Sequence, residues 1–280
     1  MGLKLGTSRL MSYINKFGFG EETEIDLNGE SHGILFKEEK MGQVETATTA
    51  FGQGISVTPI QQVTAVSAAI NGGILYKPYI VKSIIDSSSN SPVYSRKPQK
   101  RARVISKETS ELVKYTLETV VASGTGRNAY LENYRVGGKT GTAQKVENGR
   151  YSDSSYILSF IGFMPADDPK VVVYVAIDTP HNVTQYGGTV AAPIAKNIFL
   201  TAVKVLDIAP SKESMPKEYT WLDQKYVILP DVQGMNIKEA KKTLQGFQLS
   251  YSGEGEKVVY QSPQAGTYVK EGGVVQLMLS

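Results

Sequence analysis

The sequence contains no cysteine and only two histidines, His32 and His181. Without cysteine there is no disulfide, no thiolate ligand for zinc or an iron–sulfur cluster, and no cysteine nucleophile. Neither histidine lies in a spacing that metal ligands use, and a Ser-His-Asp triad would have to include one of them. We therefore predict that the protein holds no metal and needs no cofactor.

Strong net charge and long apolar segments are also missing. The formal net charge is +3, from 30 basic and 27 acidic residues, which is too small to indicate a nucleic acid or an anionic membrane as partner. The longest wholly apolar run, residues 171–177, falls far short of the roughly 20 residues that a membrane-spanning helix needs. Lys4, Arg9 and Lys16 interrupt any apolar stretch at the N-terminus, so the chain as printed is predicted to carry no signal peptide and no membrane anchor.

The remaining composition is that of a folded protein, with 41% hydrophobic and 20% charged residues. Pro210, Pro216 and a run of mixed charge separate two regions of regular apolar periodicity. We predict a large first domain over residues 1–208, a linker over 209–225 and a small second domain over 226–280.

Two helices of the first domain are indicated by their end signals. Thr58 followed by Pro59 is typical of a helix start, and the glycine-containing segment 71–73 predicts its end. Ser106 is the expected N-terminal cap of the second helix, which should end before Gly124.

A third helix is predicted from Thr189 to Leu206, with Pro193 inside its first turn, where proline is tolerated. The apolar spacing predicts which of its side chains face the core: Ile194, Ile198 and Val205.

Three strands are predicted between the second and third helices, over 134–145, 155–164 and 170–178. The Asn-Gly pair at 148–149 is typical of a β-hairpin turn, and short connections force antiparallel pairing. The apolar run 171–177 indicates a strand that is covered on both faces. The fold class is therefore predicted to be α+β, with three layers: helix, antiparallel sheet and helix.

The candidate chemistry lies on the first of these strands, in Lys139-Thr140-Gly141-Thr142. Strand alternation places Thr140 and Thr142 on one face and Lys139 and Gly141 on the other. Two hydroxyls at this spacing can donate hydrogen bonds to one carboxylate, and the nearby ammonium supplies positive field and protons. The glycine lets a ligand approach the backbone, and an edge strand can pair with an extended peptide.

Alone, Lys-Thr-Gly is a weak signal that a glycine-interrupted strand with a surface lysine would explain equally well. Other segments surround it: Phe17-Gly-Phe-Gly20, Ile25-Asp-Leu27, Gly29-Glu30, Gly52-Gln-Gly-Ile-Ser-Val-Thr-Pro-Ile-Gln61, Val120-Val-Ala-Ser-Gly-Thr-Gly126, Gly138-Lys-Thr-Gly-Thr-Ala-Gln144, and Gly187-Gly188 with Ala191-Ala-Pro193. Together these segments resemble the transpeptidase domain of class B penicillin-binding proteins over about residues 1–208.

This resemblance implies a serine D,D-transpeptidase of peptidoglycan synthesis. Its partners would be stem peptides ending in D-Ala-D-Ala and β-lactams. The resemblance implies that Lys139 is catalytic and that Thr140 and Thr142 bind the terminal carboxylate. It also implies that the N–H of Thr142 forms half of an oxyanion hole, where Gly141 keeps the backbone accessible. The full-length protein would act on the outer face of the cell membrane, at the cell wall.

The tail, residues 226–280, contains a short helix with its own cap. Asn236 and Glu239 have the spacing of a capping box. One face of the helix is predicted to be buried through Ile237, Ala240 and Leu244. With the segments 229–235 and 261–266 and a last strand over 274–279, the tail resembles a single PASTA domain of β-α-β-β fold. Single copies occur in penicillin-binding proteins of Gram-positive bacteria.

The family's nucleophile motif, Ser-x-x-Lys, has one match, Ser214-Met-Pro-Lys217. We reject it, because Pro216 breaks the helical turn that the motif requires and because it follows Lys-Thr-Gly instead of preceding it. Ser-x-Asn occurs only as Ser88-Ser-Asn90, in a loop of turn-forming residues. In the family both motifs precede the region that corresponds to Met1. The resemblance therefore implies the C-terminal part of such a protein, inactive alone.

Two interpretations remain open from the sequence. The chain is either part of a D,D-transpeptidase, or a non-catalytic, wall-associated module whose PASTA domain docks on peptidoglycan. In-frame translation upstream of Met1 separates them, since only the first interpretation predicts Ser-x-x-Lys and Ser-x-Asn there.

Overall fold

The computed structural model describes residues 1–147, 150–218 and 226–280. The chain forms two compact units, Met1–Lys217 and Glu218–Ser280, and each is described by itself. Within the described residues, none of the helices combines the length and apolar character that a membrane crossing requires.

Within its described residues the first unit has six α-helices, and the last three in sequence pack against its central sheet. Short 3₁₀ turns lie at Glu38–Lys40 and Arg127–Ala129. The α-helices are α1 (Gly2–Leu5), α2 (Thr7–Lys16), α3 (Gln43–Thr49), α4 (Pro59–Ile70), α5 (Lys107–Ala122) and α6 (Gly187–Val205).

The strands of the first unit form one three-stranded sheet and two strand pairs. They are β1 (Ile74–Lys77), β2 (Ser83–Ile85), β3 (Pro92–Ser95), β4 (Gln99–Arg103), β5 (Gly137–Glu147), β6 (Arg150–Met164) and β7 (Val171–Asp178). The central sheet has the order β5-β6-β7 and is antiparallel throughout, and β1 pairs with β4 and β2 with β3. The predicted Asn-Gly turn at 148–149 lies outside the described residues.

Helices cover both faces of the central sheet. On one face Phe160 of β6 packs into a core cluster with Phe199 of α6. On the other face Phe163 packs with Ile70 of α4 and Leu117 of α5. The predicted α+β fold with three layers, helix, antiparallel sheet and helix, is therefore confirmed.

The local end signals of α4 and α5 act as predicted. The Thr58 hydroxyl accepts a hydrogen bond from the Gln61 N–H (3.2 Å), and the Gln61 side chain accepts one from the Thr58 N–H (2.9 Å). The Ser106 hydroxyl caps α5 by accepting from the Thr109 N–H (3.1 Å). These bonds satisfy donors that the first turn of a helix leaves without partners.

The prediction for α6 is wrong in two respects. The helix begins at Gly187, two residues before the predicted start, so Pro193 lies in the helix interior and not in the first turn. The three residues predicted to face the core are instead exposed: Ile194 (43%), Ile198 (43%) and Val205 (75%). The buried face consists of Ala191, Ala192, Ala195 and Phe199, whose three small side chains let the helix lie close to the sheet.

Strand β7 is less covered than its apolar sequence predicted. Only Val173 is buried, and Ala176 and Asp178 are exposed. The reason is the position of the strand, because β7 forms an edge of the three-stranded sheet among the described residues.

The first part of the predicted linker packs on the first unit. The Ser211 N–H donates to the Asn133 carbonyl (2.7 Å), and the Tyr130 hydroxyl donates to the Met215 carbonyl (3.0 Å). The compact first unit accordingly reaches Lys217, nine residues beyond the predicted domain end at 208.

The second unit contains one helix and five strands among its described residues. They are β8 (Tyr226–Ile228), α7 (Ile237–Thr243), β9 (Gln248–Ser252), β10 (Val258–Ser262), β11 (Tyr268–Lys270) and β12 (Val274–Leu279). The main sheet has the order β10-β12-β9, in which the central strand β12 runs antiparallel to β10 and parallel to β9. The predicted β-α-β-β arrangement is thus present, and a small pair, β8 with β11, adds to it.

Two sets of side-chain hydrogen bonds stabilise the tail: the cap of α7 and the contacts of the buried Gln261. The predicted capping box forms, since the Asn236 side chain accepts from the Glu239 N–H (3.0 Å) and the Glu239 carboxylate accepts from the Asn236 N–H (3.2 Å). Gln261 is fully buried, and its side chain accepts from the Val232 N–H (2.8 Å) and donates to the Pro230 carbonyl (3.1 Å).

Candidate active site

Strand β5 carries the four predicted site residues at an edge of the central sheet that has no strand partner in the described parts of the chain. Thr140 and Thr142 are paired with Phe160 and Leu158 of β6, so their side chains share the face that α6 covers. Lys139 pairs with Ile161 and therefore lies on the opposite face. The alternation expected from the sequence is observed.

Backbone groups of β5 also point to this open edge. At the end of β7 the Thr179 N–H donates to the Tyr156 carbonyl (2.8 Å), so Tyr156 and Thr179 form a hydrogen-bonded pair between β6 and β7. Hydrogen-bonded pairs alternate along an antiparallel ladder, so the even-numbered residues of β6 bond to β7 and the odd-numbered residues bond to β5. The N–H and C=O groups of Thr140 and Thr142 consequently point away from β6, where an extended ligand can pair with them.

The side chains of Thr140 and Thr142 lie beside the N-terminus of α6. The Gly187 N–H donates to the Thr142 hydroxyl oxygen (3.3 Å), and the Thr140 and Thr125 hydroxyl oxygens lie 2.9 Å apart. A hydroxyl that accepts from a backbone N–H keeps its own proton free to donate. The N-terminus of a 19-residue helix adds a partial positive charge at the same place.

Glycines make this close approach of helix and strand possible. A Cβ atom on Gly187 would lie 2.3 Å from the Ser159 carbonyl oxygen and 2.4 Å from that of Gly141. A Cβ atom on Gly188 would lie 2.4 Å from the Thr125 carbonyl oxygen. A contact from the 3₁₀ turn at Arg127–Ala129 also holds the helix in this position, because the Asn128 side chain donates to the Gly188 carbonyl (2.8 Å).

Lys139 lies on the other face of β5 and is exposed. Its ammonium donates to the Thr140 carbonyl (2.8 Å) and makes no ion pair with a described carboxylate. Beside it lies a cavity of about 260 Å³, which α4, α5 and β6 line through Gln62, Val66, Leu117, Ile161 and Phe163.

A carboxylate farther along the sheet is already paired. The Lys145 ammonium lies 2.8 and 3.1 Å from the two Asp178 carboxylate oxygens, and this hydrogen bonding holds the pKa of Asp178 below its usual value. The Lys139–Thr142 segment thus presents two hydroxyl groups beside a helix N-terminus on one face of β5, and Lys139, without a carboxylate partner among the described residues, on the other face. Such a site favours an anionic group.

Two residues of this arrangement were missed as site residues. Thr125 was interpreted only as part of the break after α5, although it lies against Thr140. Its one sequence signal is its position between Gly124 and Gly126. No sequence signal indicates that Asn128 reaches α6, because that contact joins residues 60 positions apart.

The two rejected motif matches lie in irregular structure. Residues 214–217 form no helical turn, so Ser214 and Lys217 are not held one turn apart. Ser88 and Ser89 lie in the turn between β2 and β3, where their N–H groups donate to the Asp86 carboxylate. Among the described residues, no group of three or more histidine, aspartate or glutamate side chains is arranged to hold a metal ion.

Comparison with known families agrees with this fold. The sequence model described as the penicillin binding protein transpeptidase domain matches residues 1–200, and the PASTA domain model matches residues 227–280. The α+β first unit, with Lys-Thr-Gly on an edge strand, therefore falls in the penicillin-binding transpeptidase family. The chain belongs to this family, and it carries a PASTA domain behind the transpeptidase domain, as the sequence predicted.

Curated relatives give the same result. The chain is 54% identical over 280 residues to stage V sporulation protein D of Bacillus subtilis, covering 100% of this chain and 43% of that protein. It is 31% identical over 223 residues to a peptidoglycan D,D-transpeptidase FtsI homolog of Mesostigma viride, covering 74% and 37%. The chain therefore spans less than half the length of these relatives. The Bacillus relative fits the expected Gram-positive source.

Solved structures show the same domain. The transpeptidase domain of penicillin-binding protein 3 from Burkholderia pseudomallei superposes with a TM-score of 0.66 at 30% identity, over 75% of this chain and 60% of that one. Penicillin-binding protein 3 from Mycobacterium tuberculosis in complex with ampicillin gives 0.69 at 29% identity, over 78% and 51%.

Proposed function

We propose that this chain supplies the carboxylate-binding edge of a serine D,D-transpeptidase that cross-links peptidoglycan stem peptides outside the cytoplasmic membrane. One observation carries the proposal: the Thr142 hydroxyl accepts from the Gly187 N–H at the start of α6, and the Thr140 side chain lies on the same face of β5. The name of the Bacillus relative, identical to this chain at 54% of positions, supports a role in sporulation.

In this proposal the donor peptide binds as an added strand along β5. Its backbone pairs with the outward N–H and C=O groups of Thr140 and Thr142, and its terminal carboxylate accepts hydrogen bonds from their hydroxyls. A β-lactam carboxylate takes the same position. The outward N–H of Thr142 serves as one of two oxyanion donors when the acyl carbon becomes tetrahedral.

Lys139 acts from the other face of β5. Its ammonium contributes positive field and takes part in proton transfer, while Gly141 keeps the backbone between the two threonines open to the ligand. The serine that is acylated is not among the residues we assign here, since Ser214 is the only serine in a Ser-x-x-Lys sequence and lies outside any helix.

Thr142→Val should weaken binding of a peptide ending in D-Ala-D-Ala by about ten- to hundredfold, because one hydrogen bond to a charged carboxylate is lost. The measurement is a titration of the isotope-labelled chain with an acetylated Lys-D-Ala-D-Ala tripeptide, followed through backbone amide shifts. Thr142→Ser keeps the hydroxyl and should bind like the unchanged chain.

Equal affinity of Thr142→Val and the unchanged chain would remove the assigned role of this hydroxyl. Shifts that are confined to residues 226–280 would instead favour the non-catalytic interpretation, in which the PASTA domain binds peptidoglycan. Thr189→Val, an exposed threonine in the first turn of α6, is the matched control for adding an apolar group near the site.

The chain itself should form no covalent adduct with penicillin. Groups that position a ligand lower a barrier but do not replace the nucleophile that becomes acylated. The test is incubation of residues 1–280 with a fluorescent penicillin, denaturation and gel analysis, with a penicillin-binding protein that contains Ser-x-x-Lys as the positive control. A labelled band that maps to Ser214 would overturn both this expectation and our rejection of that motif.

A further inference from the structure

Thr140 and Thr142 share one face of β5, but different groups hold their hydroxyls. The Thr142 hydroxyl accepts from the Gly187 N–H (3.3 Å), whereas the Thr140 hydroxyl oxygen lies 2.9 Å from that of Thr125. Thr125 lies outside β5, in the loop that follows α5. The Thr140 hydroxyl is therefore held by a side chain from another element of the fold.

The loop that carries Thr125 is fixed by backbone hydrogen bonds and by close packing. The N–H groups of Gly124 and Gly126 both donate to the Val120 carbonyl in the last turn of α5, each at 3.1 Å. Gly126 is buried, and a Cβ atom there would lie 3.3 Å from the Phe160 ring in the core. The Thr125 side chain thus extends from a backbone that has little freedom to move.

The start of α6 determines which way the Thr140 side chain points. A Cβ atom on Gly188 would lie 3.3 Å from the Cγ2 methyl of Thr140 and 2.4 Å from the Thr125 carbonyl oxygen, so these three residues meet at one point. The χ1 angle of threonine is restricted, because two heavy atoms branch at its Cβ. Since the methyl group lies beside α6, the hydroxyl takes the other branch and lies against Thr125.

The direction of the hydrogen bond between Thr125 and Thr140 follows from the role proposed for Thr140. A hydroxyl has one proton to donate and two lone pairs that accept. If Thr140 donated to Thr125, no proton would remain for a ligand carboxylate. If Thr125 donates, Thr140 accepts and keeps its own proton for the ligand. Thr142 has the equivalent arrangement, with the Gly187 N–H as its donor.

We propose that Thr125 is a positioning residue of the carboxylate site and that it acts through Thr140. Its hydroxyl donates to the Thr140 hydroxyl, which in turn donates to the terminal carboxylate of the peptide. Hydrogen bonds in such a chain polarise and strengthen one another. A hydroxyl that is already oriented also loses less freedom when the ligand binds. This inference rests on the proposed function and adds to it a residue that does not touch the ligand.

The test measures how strongly the chain prefers a carboxylate. The acetylated Lys-D-Ala-D-Ala tripeptide and the same peptide ending in a carboxamide are each titrated into residues 1–280, and the ratio of the two dissociation constants gives the preference. Thr125→Val should reduce this preference about two- to tenfold, the effect of one hydrogen bond between neutral groups. Thr125→Ala removes the same hydroxyl and should act alike. Thr125→Ser keeps a hydroxyl and should retain most of the preference.

A double-mutant cycle separates action through Thr140 from direct contact with the ligand. In a Thr140→Val background, Thr125→Val should reduce the preference no further, because the hydroxyl that Thr125 orients is gone. A further loss of the same size in that background would show that Thr125 binds the ligand itself, and it would overturn the proposal.

The proposed function and this inference can fail separately. An unchanged chain that binds both peptides equally would contradict the proposed function, and the inference would fail with it. If the unchanged chain prefers the carboxylate, and Thr125→Val and Thr125→Ala keep that full preference with intact amide spectra, only the inference is contradicted.

Discussion

Replacing Glu118 with alanine should lower the free energy of unfolding of the first unit by about 3–5 kcal/mol, the range found when one partner of a buried ion pair is removed. The Glu118 side chain is only 3% exposed and forms two hydrogen bonds with Arg135, of 3.0 and 2.8 Å. The hydrogen bond to Glu118 also raises the pKa of Arg135 above its usual value.

The effect should be large because of where the pair lies. Glu118 belongs to α5, and Arg135 lies two residues before β5 begins at Gly137. The pair therefore connects the helix to the start of the strand that carries Lys-Thr-Gly. Without Glu118, the Arg135 guanidinium keeps the looser contact with Asp167 (3.8 Å) and a weaker electrostatic attraction to Glu213. The measurement is urea unfolding followed by far-ultraviolet circular dichroism.

The matched control is Asp168→Asn, which breaks an ion pair with Lys170 whose side chains are both more than half exposed. Such pairs contribute at most about 1 kcal/mol, because water and salt screen them. A loss below 1 kcal/mol for Glu118→Ala, equal to that of Asp168→Asn, would show that the buried pair does not stabilise the unit.

The second large effect is expected in the tail, where Leu277→Ala should cost about 2–5 kcal/mol. Leu277 is fully buried at the centre of the tail core, on the middle strand of its sheet. A unit of roughly 55 residues has little stability in reserve, so this loss should leave the tail largely unfolded at room temperature.

Met278→Ala provides the comparison, since Met278 is the next residue of β12 and its side chain is 48% exposed. It should change stability by less than about 1 kcal/mol. The measurement is the number of dispersed amide signals from residues 226–280 in each variant. Dispersed tail signals in Leu277→Ala at the level of Met278→Ala would contradict the expected role of Leu277.

The parts of the fold that the sequence predicted are those set by local chemistry. The helix caps form bonds to residues at most three positions away, as for Thr58, Ser106 and Asn236. A capping signal can therefore be recognised in the sequence. The faces of Thr140 and Thr142 follow from strand alternation alone. Such features need no knowledge of the tertiary structure.

The predictions that were wrong or missing concern which surfaces of the folded chain contact each other. Both flanks of α6 are apolar, and the sheet contacts the alanine-rich side, because small residues allow a closer approach than Ile194 and Ile198 would. Thr125 and Asn128 join the candidate site through contacts that span 15 and 60 positions. Periodicity within one helix or loop contains no information about such contacts.

The strand order of the tail has a consequence for its synthesis. Strand β12 is the last in sequence but the middle one in space, and β9 and β10 touch only through it. A nascent chain that has emerged only to residue 273 exposes β9, β10 and α7 without the strand that joins them. We therefore expect the main sheet of the tail to form only after β12 has left the ribosome. The β5-β6-β7 sheet of the first unit differs, because each of its strands pairs with the strand that precedes it in sequence and can add to the sheet as it emerges.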